Sequence, residues 1–395
     1  MLTLPSSSAL TPFQNMDIRS LLDGQSARRG DHACMVWEPF EGGSQTWTYG
    51  ELHTAIQRFA AGIQNSGIQA GERVIIHLNN CPEQIISWLG CAYAGVVPVT
   101  TNTGSSGEEL AYFTEHSAAK AIVTECQYLD IVTEAASHLT AIYAVGDALA
   151  LQGPVKPFSS IDKEPDSLKA RLHDPMAPFG IQFTSGTTSR PKAVVWTHAN
   201  ALWGAKVSAG HEDLRATDVQ LVYMPLFHTN AQVYSVLASL WAGATFVLQP
   251  RFSASRFWPV SLKHKCTFTS SIPFCVKALL TNPIPKGHSY RLWGGPLCDP
   301  PTDARFGVKT IGWWGMTETV THVDASMSMG RPSLEYKIHV LDEDGQPVKP
   351  GETGDLFVEG VRGLSLFLEY ADDPEATRDA FRDDGLFITG DRARL

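Results

Sequence analysis

Residues 183–192 read Phe183-Thr184-Ser185-Gly186-Thr187-Thr188-Ser189-Arg190-Pro191-Lys192. In this stretch, hydroxyl side chains surround one glycine, and the run ends in a lysine. Glycine lets backbone N–H groups approach an anion, hydroxyls donate hydrogen bonds, and lysine adds positive charge. The stretch therefore favours a loop that holds phosphate groups, with a polar surface loop as the alternative. It is not a Walker A loop, because no Gly-Lys-Ser/Thr stands at the required spacing.

Three later segments combine glycine with groups that suit a nucleotide. They are Trp293-Gly294-Gly295-Pro296-Leu297, Gly312-Trp313-Trp314-Gly315-Met316-Thr317-Glu318-Thr319 and Thr389-Gly390-Asp391. A flat aromatic ring beside glycine can stack on adenine, and the hydroxyl and carboxylate that follow can reach a phosphate and its Mg²⁺. The aspartate of the last segment can accept both ribose hydroxyls. The structural alternatives are a tight turn, a core strand leading into a capped turn, and an ordinary turn aspartate.

The residues before the phosphate loop alternate between helix and strand patterns. Thr48 with Glu51 and Ser106 with Glu109 form capping boxes, which begin helices. Short apolar runs near 73–78, 96–100 and 121–124 predict strands, and a helix is predicted from about 82 to 94. This rhythm predicts a mostly parallel sheet with helices on its faces.

The second half of the chain first repeats this rhythm and then changes. Residues 154–178 contain five prolines and several charges, and they predict a linker between two lobes. Strands are predicted next at 220–224, 245–248 and 267–270. From about residue 330, short strands and dense turns predict a small antiparallel barrel or sheet.

These patterns predict an α/β fold with two βα-layered subdomains, mostly parallel sheets and a small antiparallel β-barrel subdomain. The first subdomain is expected to span residues 1–170. The second, residues 171–329, would carry the phosphate loop and an acid pocket. The β-barrel subdomain would span residues 330–395.

The composition is that of a globular protein, with 43% hydrophobic and 18% charged residues. A net charge of −10 without a long Lys/Arg run argues against a nucleic-acid partner. Seven cysteines without a CxxC pair fit a reduced cytoplasmic protein that has no zinc framework. Residues 1–11 lack the pattern of a secretory signal, and the uncharged stretch 85–107 is interrupted by glycine, proline and polar residues. We therefore expect no membrane span.

Together, the four glycine-containing segments resemble the signature of the adenylate-forming superfamily of acyl-CoA synthetases, amino-acid adenylation modules and luciferases. Residues 184–192 resemble its T-S-G-T-T-x-x-P-K motif, residues 314–318 its Y-G-M-T-E motif, and Gly390-Asp391 its ribose-binding G-D. Order and spacing also match over nearly the whole chain. The resemblance implies that ATP converts a carboxylic acid to acyl-AMP and pyrophosphate, and that CoA then gives the thioester.

The resemblance also implies a role for each matching residue. The ATP phosphates would be held by Thr184, Ser185, Gly186, Thr187, Thr188 and Lys192. Thr317 would contact the α-phosphate, and Glu318 would bind Mg²⁺. The adenosine would be held by Gly294, Gly295, Trp314 and Asp391, the last of these at the ribose. Catalysis would consist mainly of positioning and charge stabilisation around an in-line displacement at the α-phosphate.

Residues 224–230, Met-Pro-Leu-Phe-His-Thr-Asn, align with the segment that lines the acid pocket of the family. Amino-acid adenylation modules usually have an aspartate where His228 stands, whereas histidine or an aromatic residue is common in CoA ligases. A buried, hydrogen-bonded histidine is the structural alternative. The ring side chains beside the motifs are expected to wall the pocket or to belong to the core: Phe227, Trp293, Trp313 and His322. A ring-bearing or bulky apolar acid is therefore expected.

Two short stretches, Thr-Thr-Ser189-Arg190-Pro and Phe-His-x-x-Ala-Gln232, resemble carnitine/crotonobetaine-CoA ligase-like enzymes.

Three residues depart from the wider family pattern. Ser189 and Ala193 stand where glycine is frequent, and Trp314 replaces the usual tyrosine. The alternatives are an adenylate-binding protein with impaired adenylation, an amino-acid adenylation module, and a luciferase-like oxygenase, which shares the adenylation site.

The chain stops at Leu395, four residues after Asp391. The resemblance implies a hinge beyond this point, followed by a small domain that brings a lysine for adenylation and part of the CoA tunnel. We expect this chain alone to bind nucleotide and acyl-AMP but to form thioester slowly or not at all. A homodimer is left open.

Overall fold

The computed structural model describes residues 12–147, 153–184, 190–296, 298–320, 323–325, 332–333 and 336–394. The helices are α1 (Ile18–Arg29), α2 (Tyr49–Asn65), α3 (Pro82–Ala94), α4 (Gly107–His116), α5 (Leu129–Ala135), α6 (His198–His211), α7 (Ala238–Ala242), α8 (Ala254–His264), α9 (Pro273–Leu280), α10 (Pro300–Phe306) and α11 (Pro374–Asp379). A π-helical segment, Asn230–Leu237, precedes α7.

The first nine strands are β1 (Ala33–Trp37), β2 (Gln45–Thr48), β3 (Arg73–His77), β4 (Val97–Thr100), β5 (Ala121–Glu125), β6 (Ile142–Val145), β7 (Val155–Pro157), β8 (Pro178–Phe183) and β9 (Ala193–Thr197). The remaining ten are β10 (Val219–Val222), β11 (Thr245–Leu248), β12 (Phe268–Ser270), β13 (Leu292–Gly295), β14 (Lys309–Trp314), β15 (Val323–Ala325), β16 (Lys337–Leu341), β17 (Thr353–Glu359), β18 (Glu369–Tyr370) and β19 (Phe387–Arg394).

Both predicted capping boxes are present at the starts of α2 and α4. The Thr48 hydroxyl accepts from the Glu51 amide at 3.1 Å, and the Glu51 carboxylate accepts from the Thr48 amide at 2.8 Å. Ser106 and Glu109 repeat this exchange at 3.2 and 2.8 Å. Each exchange satisfies two backbone donors that a helix end would otherwise leave unpaired.

Two eight-stranded, mostly parallel sheets form the body of the protein, which confirms the predicted fold class. Sheet A has the order β15-β14-β13-β12-β10-β11-β1-β2, and its first and last pairs are antiparallel. Sheet B has the order β18-β9-β8-β4-β3-β5-β6-β7, and β9 lies antiparallel to both β8 and β18.

Neither sheet is built from one continuous stretch of chain. Strands β1 and β2, before residue 50, complete sheet A, whose other strands lie after residue 218. Strands β8 and β9, on either side of the phosphate loop, belong to sheet B. Both sheets therefore cross the expected boundary at residue 170, and the division into subdomains stays a prediction. The linker interpretation of 154–178 is wrong at its start, because β7 pairs with β6 there.

The apolar residues divide into layers that place helices between and outside the two sheets. The largest buried cluster joins α2, α3 and α6 to strands of both sheets, for example Val74 of β3 and Phe246 of β11. A second cluster packs α8 and α9 on the outer face of sheet A. A third packs α4 and α5 on the outer face of sheet B. The chain thus forms a layered α/β structure in which the carboxyl ends of many parallel strands can carry a site.

The expected β-barrel is instead an open antiparallel sheet within the described residues. Sheet C has the order β16-β17-β19, with Val340 opposite Leu356 and Val358 opposite Phe387. Short strands and turns predict either arrangement, because both have the same local pattern.

Among the described helices, none combines the length and the apolar character needed to cross a lipid bilayer.

Candidate active site

The base of the predicted phosphate loop is a hairpin between β8 and β9. The Thr184 amide donates to the Lys192 carbonyl at 3.0 Å, and the Lys192 amide donates to the Thr184 hydroxyl at 3.3 Å. These bonds hold the first and last predicted phosphate-binding residues side by side. Four other predicted residues lie outside the described part of the chain: Ser185, Gly186, Thr187 and Thr188.

Tyr370 contacts both Lys192 and Glu318. The Lys192 Nζ lies 4.7 Å from the centroid of the Tyr370 ring, and the Tyr370 hydroxyl donates to Glu318 Oε1 at 2.8 Å. Strand register explains the first contact, because Tyr370 of β18 pairs with Val194 of β9, two residues after Lys192 on the same face. A cation, a phenol and a carboxylate therefore converge at the end of the hairpin.

Glu318 is buried, with 5% of its surface exposed. Burial raises the pKa of its carboxyl group, and the Tyr370 hydrogen bond and the Lys192 charge oppose that rise. The backbone around it is held from two sides. The Trp196 indole donates to the Thr317 carbonyl at 2.9 Å, and the Phe367 amide donates to the Glu318 carbonyl at 2.8 Å.

Trp314 and Asp391, predicted to bind adenine and ribose, contact each other. The Trp314 indole Nε1 donates to Asp391 Oδ2 at 2.8 Å. Gly390 has a φ of +76°, a conformation that favours glycine, and it turns the Asp391 side chain toward β14. The two residues belong to different sheets, so this contact joins sheet C to sheet A.

Gly294 and Gly295 border a cavity of about 590 Å³ on the outer face of sheet A. Helix α9 forms the opposite wall of the cavity with apolar side chains, and its Lys277 contributes a positively charged side chain to the lining. The volume lies within the roughly 300–1,000 Å³ that small-molecule sites occupy. Trp314 is not among the residues that line it.

Trp293 and Trp313 lie on opposite faces of sheet A, so they cannot wall one pocket together. A Cβ on Gly294 would lie 1.9 Å from the Trp313 ring, which places Trp313 on the inner face, where it also packs on Tyr234 at 5.4 Å. Trp293 belongs to the outer aromatic cluster, with Phe306 at 4.8 Å. Both rings belong to buried clusters, the alternative that the sequence left open, while His322 lies outside the described residues.

Phe227 and His228 lie on a loop that Asn80 fixes at its start. The Asn80 amide group donates to the Met224 carbonyl at 2.9 Å and accepts from the Leu226 amide at 2.8 Å. The two ring centroids of Phe227 and His228 are 4.2 Å apart. His228 keeps an exposed edge, and partial desolvation lowers its pKa, so the neutral imidazole is favoured at neutral pH. This exposure does not fit the alternative of a buried, hydrogen-bonded histidine.

A buried polar network connects this loop to the strand that enters the phosphate loop. Gln182 of β8 donates to Gln232 at 2.6 Å and accepts from the Thr229 hydroxyl at 3.0 Å. Gln232 also donates to Thr100 of β4 at 3.1 Å. It lies in the π-helical segment, a form of helix that is frequent at functional sites. The acid-pocket segment and the phosphate loop therefore share one support.

The structure adds residues for which the sequence offered no functional signal. Tyr370 and Asn80 stand outside the motifs, and their contacts join positions far apart in the chain. Ala193, a departure from the family pattern, is buried in the outer cluster of sheet B. Its methyl group is therefore accommodated by the core.

Alanine in place of Gly294 is expected to destabilise the protein by about 2–3 kcal/mol, in the upper part of the range for overpacking. Strand pairing on both sides holds the Gly294 backbone, so the new methyl group meets the Trp313 ring. Urea unfolding measures the change. The double variant Gly294→Ala/Trp313→Leu should recover part of the loss, and Gly43→Ala, where no atom lies within 4 Å, is the control. An unchanged urea midpoint for Gly294→Ala contradicts the prediction.

Known proteins are similar to this chain in sequence and in fold. The chain is 33% identical over 399 residues to the crotonobetaine/carnitine–CoA ligase of Salmonella typhi, covering 95% of this chain and 77% of the relative. The same enzyme of Salmonella typhimurium is 32% identical, with the same coverage.

Two solved structures have the same fold. A benzoate CoA ligase from Burkholderia xenovorans LB400 superposes with a TM-score of 0.83 at 24% identity, covering 96% of this chain and 78% of that one. The o-succinylbenzoate CoA synthetase of Bacillus subtilis, in complex with its acyl-adenylate intermediate, gives 0.81 at 24% identity, covering 95% and 96%. The profile described as AMP-binding enzyme matches residues 22–371. The chain therefore belongs to the AMP-binding enzyme family.

Proposed function

We propose that this chain is the nucleotide-binding part of an ATP-dependent, AMP-forming acid–CoA ligase. Its family membership and its similarity to curated CoA ligases support this function. The proposed substrates are ATP, a small carboxylic acid and CoA. The predicted roles of the site residues are part of the proposal.

The convergence of Lys192, Tyr370 and Glu318 carries the proposal. It places a cation and a carboxylate at the end of the hairpin that holds the predicted phosphate loop. Burying a carboxylate costs free energy, and a buried acid with a raised pKa in a cleft is a frequent sign of function. Trp314, the last residue of β14, precedes Glu318 by four residues, and its pair with Asp391 supplies the groups expected for an adenosine.

The proposed reaction has two steps. In the first, a carboxylate oxygen of the acid attacks the α-phosphorus, the bond to the bridging oxygen breaks, and pyrophosphate leaves with the electron pair. Lys192 would offset the charge on the leaving phosphates, and Thr317 would donate to the α-phosphate. In the second, the CoA thiol loses its proton and its sulfur attacks the acyl carbon, so that AMP leaves. His228, neutral and partly exposed, would receive that proton.

The site also fits Mg²⁺, which would be held by Glu318 together with the ATP phosphates. Mg²⁺ usually binds one or two carboxylates plus substrate phosphates rather than an all-protein cage. The described residues contain no group of three or more His, Cys, Asp or Glu side chains that could hold a metal ion. The ion would neutralise phosphate charge when bound.

For the acid, we propose a compact acyl group in place of the ring-bearing or bulky acid expected from the sequence. Trp313 fills the space above Gly294 on the inner face, beside the π-helical segment that follows His228. Trp293, expected to provide a second wall, faces the other way. The named relatives are ligases for crotonobetaine and carnitine, which are short acids with a cationic group.

An acid panel in ATP–pyrophosphate exchange tests this function. Short trimethylammonium acids should support exchange, while aromatic and long-chain acids should support it at least about tenfold less. Calorimetric titration with non-hydrolysable acyl-AMP analogues of the same three classes gives the affinities without turnover. The control omits the acid and should show only background exchange.

The outcomes separate this proposal from its rivals. Exchange driven by an amino acid would favour an adenylation module. Tight binding of an acyl-AMP analogue without exchange would favour an adenylate-binding protein. No binding of any nucleotide would contradict all three.

Two further proposals concern the surroundings of the enzyme. We place it in the cytoplasm, because the cysteines in the described chain are free, as expected in a reducing compartment. The homodimer remains a proposal that light scattering can test.

A further inference from the structure

The last turns of α4 carry a group of rings that holds the strand entering the phosphate loop. Phe183 is the last residue of β8. The centroid of its ring lies 4.3 Å from that of Phe113 and 6.0 Å from that of Tyr112. His116 adds a third ring, stacked on Tyr112 at 5.2 Å. Aromatic pairs at these distances are attractive and restrict one another's orientation.

Tyr112 also holds the strand leaving the loop. Its hydroxyl donates to the Pro191 carbonyl at 3.1 Å. The guanidinium carbon of Arg190 lies 5.4 Å from the centroid of its ring, within the range of a cation–π contact. One side chain therefore contacts both ends of the loop, at Phe183 on one side and at Arg190 and Pro191 on the other.

These contacts lie next to the residues that the proposed reaction uses. Pro191 precedes Lys192, whose backbone is bonded to Thr184 in both directions. A shift of the Pro191 carbonyl would be transmitted to Lys192 across one peptide unit, because peptide planes are rigid. The Lys192 ammonium would then move relative to Tyr370 and Glu318.

We propose that Tyr112 is a positioning residue that clamps the base of the phosphate loop and so sets the place of Lys192 against the ATP phosphates. This inference rests on the proposed function. Tyr112 touches no reacting atom, so its effect is on the binding of ATP and pyrophosphate. The acid-pocket segment has further supports that Tyr112 does not touch, since Asn80 donates to the Met224 carbonyl and Gln232 to the Leu226 carbonyl, so binding of the acid should depend on Tyr112 far less than binding of ATP.

Kinetics of Tyr112→Phe and Tyr112→Leu test the inference. The phenylalanine variant keeps the rings and loses the bond to Pro191, so KM for ATP should rise about fivefold, the effect of one net hydrogen bond. The leucine variant also loses the ring contacts and should raise KM for ATP roughly 30-fold. In both variants, KM for the acid should stay within about twofold of its original value.

The control is Tyr143→Phe, on β6 at the far side of sheet B. Lys156 stands over the Tyr143 ring at 6.0 Å, so this residue is a comparable tyrosine beside a cation, away from the loop. It should change neither KM. A purely structural role for Tyr112 would lower the active fraction and kcat while leaving both KM values unchanged, and that result would overturn the inference.

Hydrogen exchange keeps the inference testable if the wild-type protein shows no ATP–pyrophosphate exchange. The peptides that carry the Thr184 and Lys192 amides should exchange faster in Tyr112→Leu, with Tyr112→Phe between it and the wild type. Peptides of sheet A should not change. Unchanged hydrogen exchange at the Thr184 and Lys192 amides would reject the clamp. Absence of ATP–pyrophosphate exchange in the wild-type protein would instead reject the proposed function alone.

Discussion

Glutamine in place of Glu318 is expected to lower acid-dependent ATP–pyrophosphate exchange by at least about 100-fold, since one charged group at a site of developing charge commonly contributes that much. The amide oxygen can still accept the hydrogen bond from Tyr370. The loss would thus come from the missing charge at the proposed Mg²⁺ site. Glu359→Gln, at a half-exposed carboxylate of sheet C, is the matched control and should stay within about twofold of wild type.

The same variant should be at least as stable as the wild type, with a difference that depends on pH. Burial raises the pKa of Glu318 above its ordinary value of 4.5. As the pH rises above that value, the unfolded chain loses this proton before the folded protein does, so wild-type stability falls. Glutamine has no proton to lose.

Thermal unfolding at several pH values measures this difference. The Tm of Glu318→Gln should match that of the wild type near pH 4.5 and exceed it at pH 8. A difference in Tm that narrows as the pH rises would argue against a cost of burying the Glu318 charge. ATP–pyrophosphate exchange by Glu318→Gln above one-tenth of the wild-type rate would argue against the catalytic role.

Alanine in place of Asp391 is expected to weaken the binding of ATP and acyl-AMP analogues roughly 10- to 100-fold, because hydrogen bonds to a charged group contribute about 1.5–3 kcal/mol. The carboxylate is exposed and would accept the ribose hydroxyls. It also accepts from Trp314, so its removal frees the indole that would stack on adenine.

Calorimetric titration and tryptophan fluorescence check this prediction together. Asp391→Asn keeps an oxygen acceptor for Trp314 and should lose less affinity than the alanine variant. Asp383→Ala removes an exposed carboxylate from the turn before β19 and should bind normally. Equal affinity of Asp391→Ala and wild type would remove Asp391 from the site.

Local features of this fold could be predicted from the sequence, because their causes lie within a few residues. The capping boxes at Thr48 and Ser106 depend on contacts three residues apart. The strand predicted at 245–248 matches β11 in both bounds. The motifs also led to Lys192 and Glu318, since phosphate chemistry restricts the residue types that suit it.

Features that depend on distant parts of the chain could not be predicted in this way. Met35 pairs with Phe246 in sheet A, and no local pattern announces a partner so far away. Tyr370 contacts Glu318 across 52 residues, and Trp293 and Trp313 are separated by the sheet itself. Patterns of alternation tell which residues share a face of one strand, but pocket walls come from several strands.

The interleaving of the two sheets has a consequence for biosynthesis. A ribosome releases β1 and β2 long before β11, the partner of β1, and it releases β3 to β9 long before β18, the partner of β9. Such non-local pairings slow folding and leave strand edges exposed meanwhile. Tyr370 lies on β18, so the contact among Lys192, Tyr370 and Glu318 forms only when nearly all of this chain has emerged. A nascent chain halted before that point should hold no assembled site and should depend on chaperones to protect its edges.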